Sequence, residues 1–225
     1  MMGYESVIFD NDGVLLTLTD MDAHYVGARQ AFEELGVVSP STAHVEAMSI
    51  GVTVPELTDI CTQYDIDPER FFRARDEALT AVQRALIRAG EKQPYADVSV
   101  LDRLDCPLGV VSSNQRDTVA FAFEHFDIGH YFDTVWAREP TVESLRRKKP
   151  RPYYIERAMD DLNVSNALFV GDNESDIEAA HRAGIDSAFI RRPHRVDTQL
   201  DVTPDHDVSG LEDVVHLASR RSGSD

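Results

Sequence analysis

Two aspartates lie two positions apart at the end of a short apolar run near the start of the chain. The run covers residues 7–9, the acids are Asp10 and Asp12, and Gly13 follows them. A short apolar run bounded by a turn signal predicts a buried strand, and Gly13 permits the tight backbone path that brings both carboxylates beyond its end. Such close carboxylates repel each other unless a cation or a shared proton intervenes, and Mg²⁺ is a hard cation that prefers oxygen. The stretch predicts a Mg²⁺-assisted reaction centre; the alternative is an ordinary Asp-Asn-Asp-Gly surface turn.

Further polar residues follow two later apolar runs and occupy the segment between them. The later runs cover residues 108–111 and 167–170. The polar side chains are Ser112, Ser113, Asn114, Lys149, Asp172 and Asp176. In an open parallel sheet, ligands bind beyond the carboxyl ends of the strands, so we expect these residues to share one crevice with Asp10 and Asp12.

Lysine is scarce in this chain, and the scarcity singles out Lys149. The only lysines are Lys92, Lys148 and Lys149, whereas arginine is plentiful. A compact ammonium differs from a planar guanidinium in reach and shape, so a lysine retained directly before Pro150 is expected to have a specific role. The alternative is that Lys148 and Lys149 only extend a basic surface patch that begins at Arg146.

The charge and composition exclude several classes of partner. The 225 residues carry a formal net charge of −18, and the acidic residues are spread along the whole chain. Such a surface repels nucleic-acid phosphates, and dispersed carboxylates with few lysines resemble proteins of salt-loving archaea. No stretch is apolar enough to cross a membrane and no export signal is visible, so we expect a cytoplasmic protein with two reduced cysteines. We expect a monomer or a homodimer.

Helical periodicity dominates the segment after the first strand. Apolar spacing predicts helices over residues 23–35, 54–64 and 68–89, the last with Pro68 at its start and Gly90 at its end. No clear strand interrupts them. Residues 17–92 are therefore predicted to form an all-helical insertion.

From residue 93 onward, predicted strands and helices alternate, which indicates a parallel sheet covered on both faces. The predicted elements are helix 97–104, strand 108–112, helix 118–126, strand 134–137, helix 153–162, strand 167–171, helix 176–183, strand 187–190, strand 206–208 and helix 211–218. The polar loop 191–204 is expected at the surface, and residues 220–225 are expected to form a frayed tail.

With these motifs in this order, residues 5–192 resemble the haloacid dehalogenase (HAD) superfamily, in particular its phosphoglycolate phosphatase and β-phosphoglucomutase-like subfamily. The resemblance implies an α/β fold: a Rossmann-like parallel sheet core with helices on both faces and an inserted all-helical cap over the active site. The core domain would comprise residues 1–16 and 93–225, and the cap domain residues 17–92.

The resemblance also implies residue roles. Asp10 would be the nucleophile that forms an aspartyl-phosphate, and Asp12 the general acid and base. Ser112, with backbone N–H groups of Ser113 and Asn114, would bind phosphoryl oxygens; the alternative for Ser112 is a helix cap. Lys149 would neutralise charge on the nucleophile and on the substrate phosphate.

The same resemblance implies a Mg²⁺ site. Its shell would comprise Asp10, the backbone carbonyl of Asp12, Asp172, waters and the substrate phosphate. Asp176, one helical turn after Asp172, would support the metal or its waters; the alternative is that it stabilises a helix N-terminus. Cap residues that could meet the rest of the substrate are His24, Arg29, Arg73, Arg75 and Arg84, or these form a solvated helix face.

The resulting hypothesis is a Mg²⁺-dependent phosphatase acting on a small phosphorylated metabolite, phosphoglycolate or a sugar phosphate. A phosphomutase of the β-phosphoglucomutase type and a non-catalytic module that binds phosphate or metal remain as alternatives. Asp12 and Asp172 argue against 2-haloacid dehalogenation, because the resembled dehalogenases use neither a metal nor the second aspartate. Phosphonate hydrolysis needs a cap lysine, for which Lys92 at the edge of the cap is the only candidate.

Overall fold

A computed structural model describes residues 3–219. The strands are β1 (Ser6–Phe9), β2 (Leu108–Gln115), β3 (Thr134–Arg138), β4 (Ala167–Gly171), β5 (Asp186–Ile190) and β6 (His206–Val208). They form one parallel sheet in the order β3-β2-β1-β4-β5-β6. This is the doubly wound, Rossmann-like order, in which β1 lies at the centre and a ligand crevice opens at its carboxyl end.

Helices cover both faces of this sheet, as predicted. The helices are α1 (Met21–Glu34), α2 (Thr42–Ser49), α3 (Val54–Gln63), α4 (Pro68–Ala89), α5 (Arg116–His125), α6 (Val142–Leu145), α7 (Tyr153–Leu162), α8 (Glu174–Ala183) and α9 (Leu211–Ala218). Alternate residues of β1 pack to opposite sides: Val7 and Phe9 pack in a cluster with α5 and α9, and Ile8 packs with α7 and α8. Burial on both faces explains why the strand sequences are continuously apolar.

The helices α1–α4 form a cap with its own apolar core, which includes Phe32, Leu57 and Phe71. The two segments that link the cap to the sheet domain lie side by side. The N–H of Thr17 in the first segment donates to the carbonyl of Gln93 in the second at 2.9 Å. Helix α6 follows β3 in the chain but packs into the apolar core of the cap. We propose residues 17–92 as the cap domain and residues 1–16 and 93–225 as the core domain.

Several predicted elements agree with the structure to the residue, and others do not. Helix α4 has the predicted bounds because Pro68 starts it and Gly90 ends it with a left-handed φ of 76°. Helix α2 was missed, and the helix predicted over residues 97–104 is a 3₁₀ helix over Val98–Arg103. The predicted frayed tail at residues 220–225 lies outside the described residues. Among the described helices, none is long and apolar enough to cross a membrane.

Candidate active site

Asp10 lies at the carboxyl end of the central strand β1. Its N–H donates to the carbonyl of Val170 at 2.8 Å, which continues the pairing with β4. The carboxylate is buried, and one oxygen, Oδ1, lies 2.7 Å from Nζ of Lys149. Burial raises the pKa of Asp10 well above its usual value; Lys149 opposes this shift, and the nearby carboxylates of Asp176 and Asp172 add to it.

Lys149 joins two buried carboxylates. Its Nζ lies 2.7 Å from Asp10 and 2.6 Å from Asp176, and it also donates to the carbonyl of Val111 at 3.3 Å. Burial acts to lower the pKa of Lys149, but Asp10 and Asp176 outweigh it and raise the pKa above its usual value. Lys149 is therefore a permanent cation at the reaction centre, and not part of a basic surface patch.

Asp12 faces the cap side of the same crevice. Its carboxylate is paired with Nζ of Lys92 and accepts from Nδ2 of Asn114 at 2.8 Å. Burial acts to raise the pKa of Asp12, but these two donors outweigh it and lower the pKa below its usual value. These donors favour the carboxylate form of Asp12, which is the form that can accept a proton from water.

Lys92 is a site residue that sequence reasoning assigned only to a phosphonate alternative. It is buried, and besides Asp12 it donates to Thr19 and Gln83 at 2.9 Å each. Its partners come from the loop after β1, the cap linker and α4, separated from it by up to 80 residues. One sequence signal could have identified Lys92, namely that the chain has only three lysines. All three lie in or beside this crevice.

Ser112, Ser113 and Asn114 lie in the irregular end of β2, which extends beyond the predicted end at Ser112 to Gln115. The hydroxyl of Ser112 accepts from the N–H of Asn114 at 3.0 Å, so these residues form a tight polar turn over the crevice. Ser112 does not cap a helix, because the N-cap residue of α5 is Gln115.

Asp172 follows β4 and approaches the loop after Asp12 closely. A Cβ at position 13 would lie 2.5 Å from Oδ2 of Asp172, so only Gly13 fits there. Asp176 accepts from the N–H groups of Asp172 and Asn173, and forms a capping box at the start of α8. Burial raises the pKa of Asp176; Lys149 opposes this shift and Asp172 adds to it.

Three of these carboxylates could hold a metal ion. Asp10, Asp172 and Asp176 are buried, and each offers one oxygen within 4.8 Å of the others. An all-oxygen, anionic donor set of this kind fits Mg²⁺. The side chain of Asp12 is turned away toward Lys92.

The loop 191–204 was predicted to be a surface loop; most of it is exposed or half-buried, but its first part also contacts the site. Arg192 is buried, and His194 and Arg195 donate to Oδ2 of Asp172 at 2.7 and 3.0 Å. The buried carboxylate of Asp172 thus accepts hydrogen bonds from this loop, and a polar sequence alone does not distinguish a solvated loop from one that contacts buried carboxylates.

A cavity of about 510 Å³ lies between the core and the cap. Of the cap residues considered from the sequence, His24 and Arg75 line it, whereas Arg29, Arg73 and Arg84 do not. Burial, together with Lys92, lowers the pKa of His24, and its Nδ1 is buried without a hydrogen-bond partner among the described residues. The cap thus brings polar groups to the cavity opposite the carboxylates.

A helical cap over a doubly wound, Rossmann-like sheet, with paired carboxylates and a lysine at the centre, is the architecture of a capped enzyme of the α/β class. The chain belongs to the haloacid dehalogenase-like hydrolases, whose family model matches residues 7–190. Membership of this family makes it an enzyme of the HAD hydrolase type.

Relatives of the chain carry phosphatase names. Pyrophosphatase PpaX of Bacillus velezensis is 29% identical over 55% of this chain and 56% of that protein, and PpaX of Oceanobacillus iheyensis is 25% identical over 96% and 97%. A phosphoglycolate phosphatase of Rhodobacter capsulatus is 29% identical over 51% and 52%. The chain therefore matches only about half the length of two of these three relatives.

Solved structures share the fold. A predicted phosphoglycolate phosphatase from Haemophilus somnus aligns with a TM-score of 0.68 at 18% identity, covering 97% of this chain and 100% of that one. A putative β-phosphoglucomutase from Thermotoga maritima aligns with a TM-score of 0.60 at 21% identity, covering 94% and 97%.

Proposed function

We propose that the protein is a Mg²⁺-dependent phosphatase that hydrolyses a small phosphorylated metabolite through an aspartyl-phosphate on Asp10. One observation carries the proposal: the carboxylates of Asp10 and Asp12 leave the end of one strand and have separate cationic partners. Lys149 pairs with Asp10, and Lys92 pairs with Asp12. Two carboxylates with different surroundings can take different roles in one reaction.

In the first step, an oxygen of Asp10 forms a bond to phosphorus while the bond from phosphorus to the leaving oxygen breaks. In this step Asp12 is in its protonated form; it gives its proton to the leaving oxygen and becomes a carboxylate. In the second step, a water oxygen attacks phosphorus, Asp12 accepts the proton of that water, and the bond from phosphorus to Asp10 breaks.

The other residues hold the phosphoryl group between these two carboxylates. Lys149 would bind phosphoryl oxygens from the Asp10 side, and the Ser112 hydroxyl with the N–H of Ser113 would bind them from the β2 side. The N–H of Asn114 donates to Ser112 in this structure and would exchange that hydrogen bond for one to the phosphate. Asp10, Asp172, the carbonyl of Asp12 and Asp176 would hold Mg²⁺ either directly or through water. When bound, the ion would neutralise phosphate charge and orient the phosphoryl group.

A phosphomutase is the second candidate, because a putative β-phosphoglucomutase shares the fold. It would require transfer of the phosphoryl group from Asp10 back to a sugar instead of to water. We also propose a cytoplasmic location and adaptation to high salt; free Cys61 and Cys106 support the former, and the charge of −18 supports the latter.

The test is phosphate release from a panel of phosphorylated metabolites in high salt, with Mg²⁺ and with a chelator. We expect Mg²⁺-dependent release that Asp10→Asn abolishes while circular dichroism shows an intact fold. Sugar phosphates that isomerise without releasing phosphate would support the mutase. Full activity of Asp10→Asn would refute the proposed nucleophile.

A further inference from the structure

The wall of the cavity next to the cap is basic, although the chain as a whole is strongly acidic. Arg75 from α4 and Arg138 from β3 are both buried, and both pair with the one buried carboxylate of Asp76. Arg138 makes two hydrogen bonds to Asp76, at 2.7 and 2.8 Å. Two guanidinium groups therefore share a single counter-charge.

Lys148 adds a third cation to this wall. Its Nζ donates to the backbone carbonyl of Val52 in the cap at 3.1 Å. Within residues 3–219, no carboxylate oxygen forms a salt bridge with it, and the nearest opposing influence, Glu56, is solvent-exposed and already accepts from Thr53. Burial, reinforced by Arg138 and Arg75, lowers the pKa of Lys148 to about 8.

This surplus of positive charge needs a physical reason. Taking a cation out of water is unfavourable unless an anion or a set of hydrogen bonds compensates it. Lys148 has one neutral acceptor and two cationic neighbours, in a chain that has an excess of carboxylates to offer. Such an arrangement favours an anionic group that arrives with a ligand.

Lys148 and Lys149 are adjacent in sequence, but their side chains serve opposite sides of the cavity. Lys149 is directed to Asp10 and Asp176, whereas Lys148 is directed to the cap at Val52. Both lysines line the same cavity of about 510 Å³. A small substrate whose phosphoryl group lies against Asp10 therefore has its other end facing the basic wall.

Resting on the phosphatase function proposed above, we propose that Lys148 binds a second anionic group at the non-reacting end of the substrate. The substrates are then phosphorylated compounds that carry a carboxylate or a second phosphate, in preference to neutral sugar phosphates. Arg75 and Arg138 hold the wall in place through Asp76 and add to its positive potential.

The test compares three substrates that differ at the non-reacting end: phosphoglycolate with a carboxylate, pyrophosphate with a second phosphate, and ethyl phosphate with a neutral end. For the wild type, we expect kcat/KM to be higher for at least one of the two anionic substrates than for ethyl phosphate. Lys148→Met should lower kcat/KM for that substrate about 10- to 100-fold, mainly through KM, because one charged contact is lost. In the same variant, kcat/KM for ethyl phosphate should change less than about 3-fold.

Two variants serve as controls. Lys148→Arg keeps the positive charge and should recover most of the lost affinity. Arg146→Met removes a cation two positions away whose side chain is 59% exposed, and it should leave kcat/KM unchanged for all three substrates. The loss of kcat/KM in Lys148→Met, compared between phosphoglycolate and pyrophosphate, shows whether Lys148 binds a carboxylate or a phosphate.

A loss of the same size for all three substrates in Lys148→Met would overturn the inference, as would a wild type that prefers ethyl phosphate. If the wild type released phosphate from other compounds of the panel but from neither phosphoglycolate nor pyrophosphate, the inference would be overturned and the phosphatase function would stand. If it released phosphate from no compound of the panel, the proposed function would be at fault, and calorimetric binding to Asp10→Asn would still test Lys148. Binding of phosphoglycolate or pyrophosphate that is tighter than binding of ethyl phosphate, and that Lys148→Met weakens, would support the inference. Equal binding of all three would refute it.

Discussion

Nζ of Lys149 lies 2.7 Å from Oδ1 of Asp10. The same ammonium lies 2.6 Å from Asp176, so one buried cation compensates the proposed nucleophile and a neighbouring acid. Lysine supplies a compact charge between two carboxylates, where the wider guanidinium of arginine has a different shape. This explains why a chain that mostly uses arginine has lysine at this position.

Lys149→Met is expected to abolish most activity and to destabilise the fold. It leaves two buried carboxylates without their cation, and removing one partner of a buried ion pair costs about 3–5 kcal/mol of unfolding free energy. We expect kcat to fall about 1000-fold, because the charge that holds phosphoryl oxygens is lost. Urea unfolding without Mg²⁺ and steady-state kinetics measure the two effects. Wild-type kcat in this variant would contradict the role of Lys149.

Lys92→Met is expected to reduce turnover about 100-fold, because Asp12 loses the cation that holds it at the crevice. The matched control is Thr19→Val, which removes a neutral acceptor of Lys92 and the hydrogen bond that Thr19 donates to Gln83, but leaves the ion pair with Asp12. It should change the unfolding free energy by less than about 1.5 kcal/mol. Initial rates and urea unfolding of the two variants give the comparison. If both variants lost activity equally, the pairing with Asp12 would not explain the effect.

The pairing of Lys92 with Asp12 shows where sequence reasoning stops. Local signals were sufficient for the strand before Asp10, for the motif from Ala167 to Asp176 and for the helix 68–89, because apolar runs, turn residues and helix caps are local. The partner of Asp12 comes from a position 80 residues away, and only the path of the cap linkers brings it there.

The missed elements have related causes. Helix α2 is eight residues long, and helices this short depend on packing against neighbours more than on their own sequence. His194 and Arg195 reach Asp172 because a buried carboxylate needs hydrogen-bond donors, and here they come from a loop whose sequence resembles a surface loop. The three lysines were visible in the sequence, but only the fold shows that Lys148 and Lys149 diverge.

Lys148 also predicts how stability depends on pH. Its pKa is lowered from 10.5 to about 8 in the folded state, with Arg138 and Arg75 facing it and Glu56 opposing them. Between these two values the unfolded chain binds more protons, so this group makes the fold more stable as pH rises from about 8 to 10.5.

Keeping Lys148 charged in the folded state costs free energy, and Lys148→Met removes this cost. The variant is expected to be more stable than the wild type at pH 7, by on the order of 1–2 kcal/mol after allowance for solvent screening. The difference should shrink as pH approaches the ordinary pKa of lysine, near about 10.4. Urea unfolding of both proteins at several pH values tests this. A difference that does not vary with pH, or a variant less stable at pH 7, would argue against the buried charge.

The net charge of −18 predicts a marked dependence of stability on salt. Dispersed carboxylates repel one another, and at 1 M ionic strength the screening length falls to about 3 Å. We expect the thermal midpoint to rise steadily with KCl from low to molar concentration. Sucrose of equal osmolality is the control for solute exclusion. A midpoint that is flat or falls with KCl would contradict adaptation to high salt.

The most direct test of the central claim is to look for the phosphoryl group on Asp10. The protein is mixed with Mg²⁺ and a substrate found in the panel, quenched in acid during turnover, digested, and examined by mass spectrometry. We expect a phosphoryl adduct on the peptide that contains Asp10, and none in Asp10→Asn. Phosphate release without any adduct on this peptide, or an adduct on another residue, would contradict the proposed mechanism.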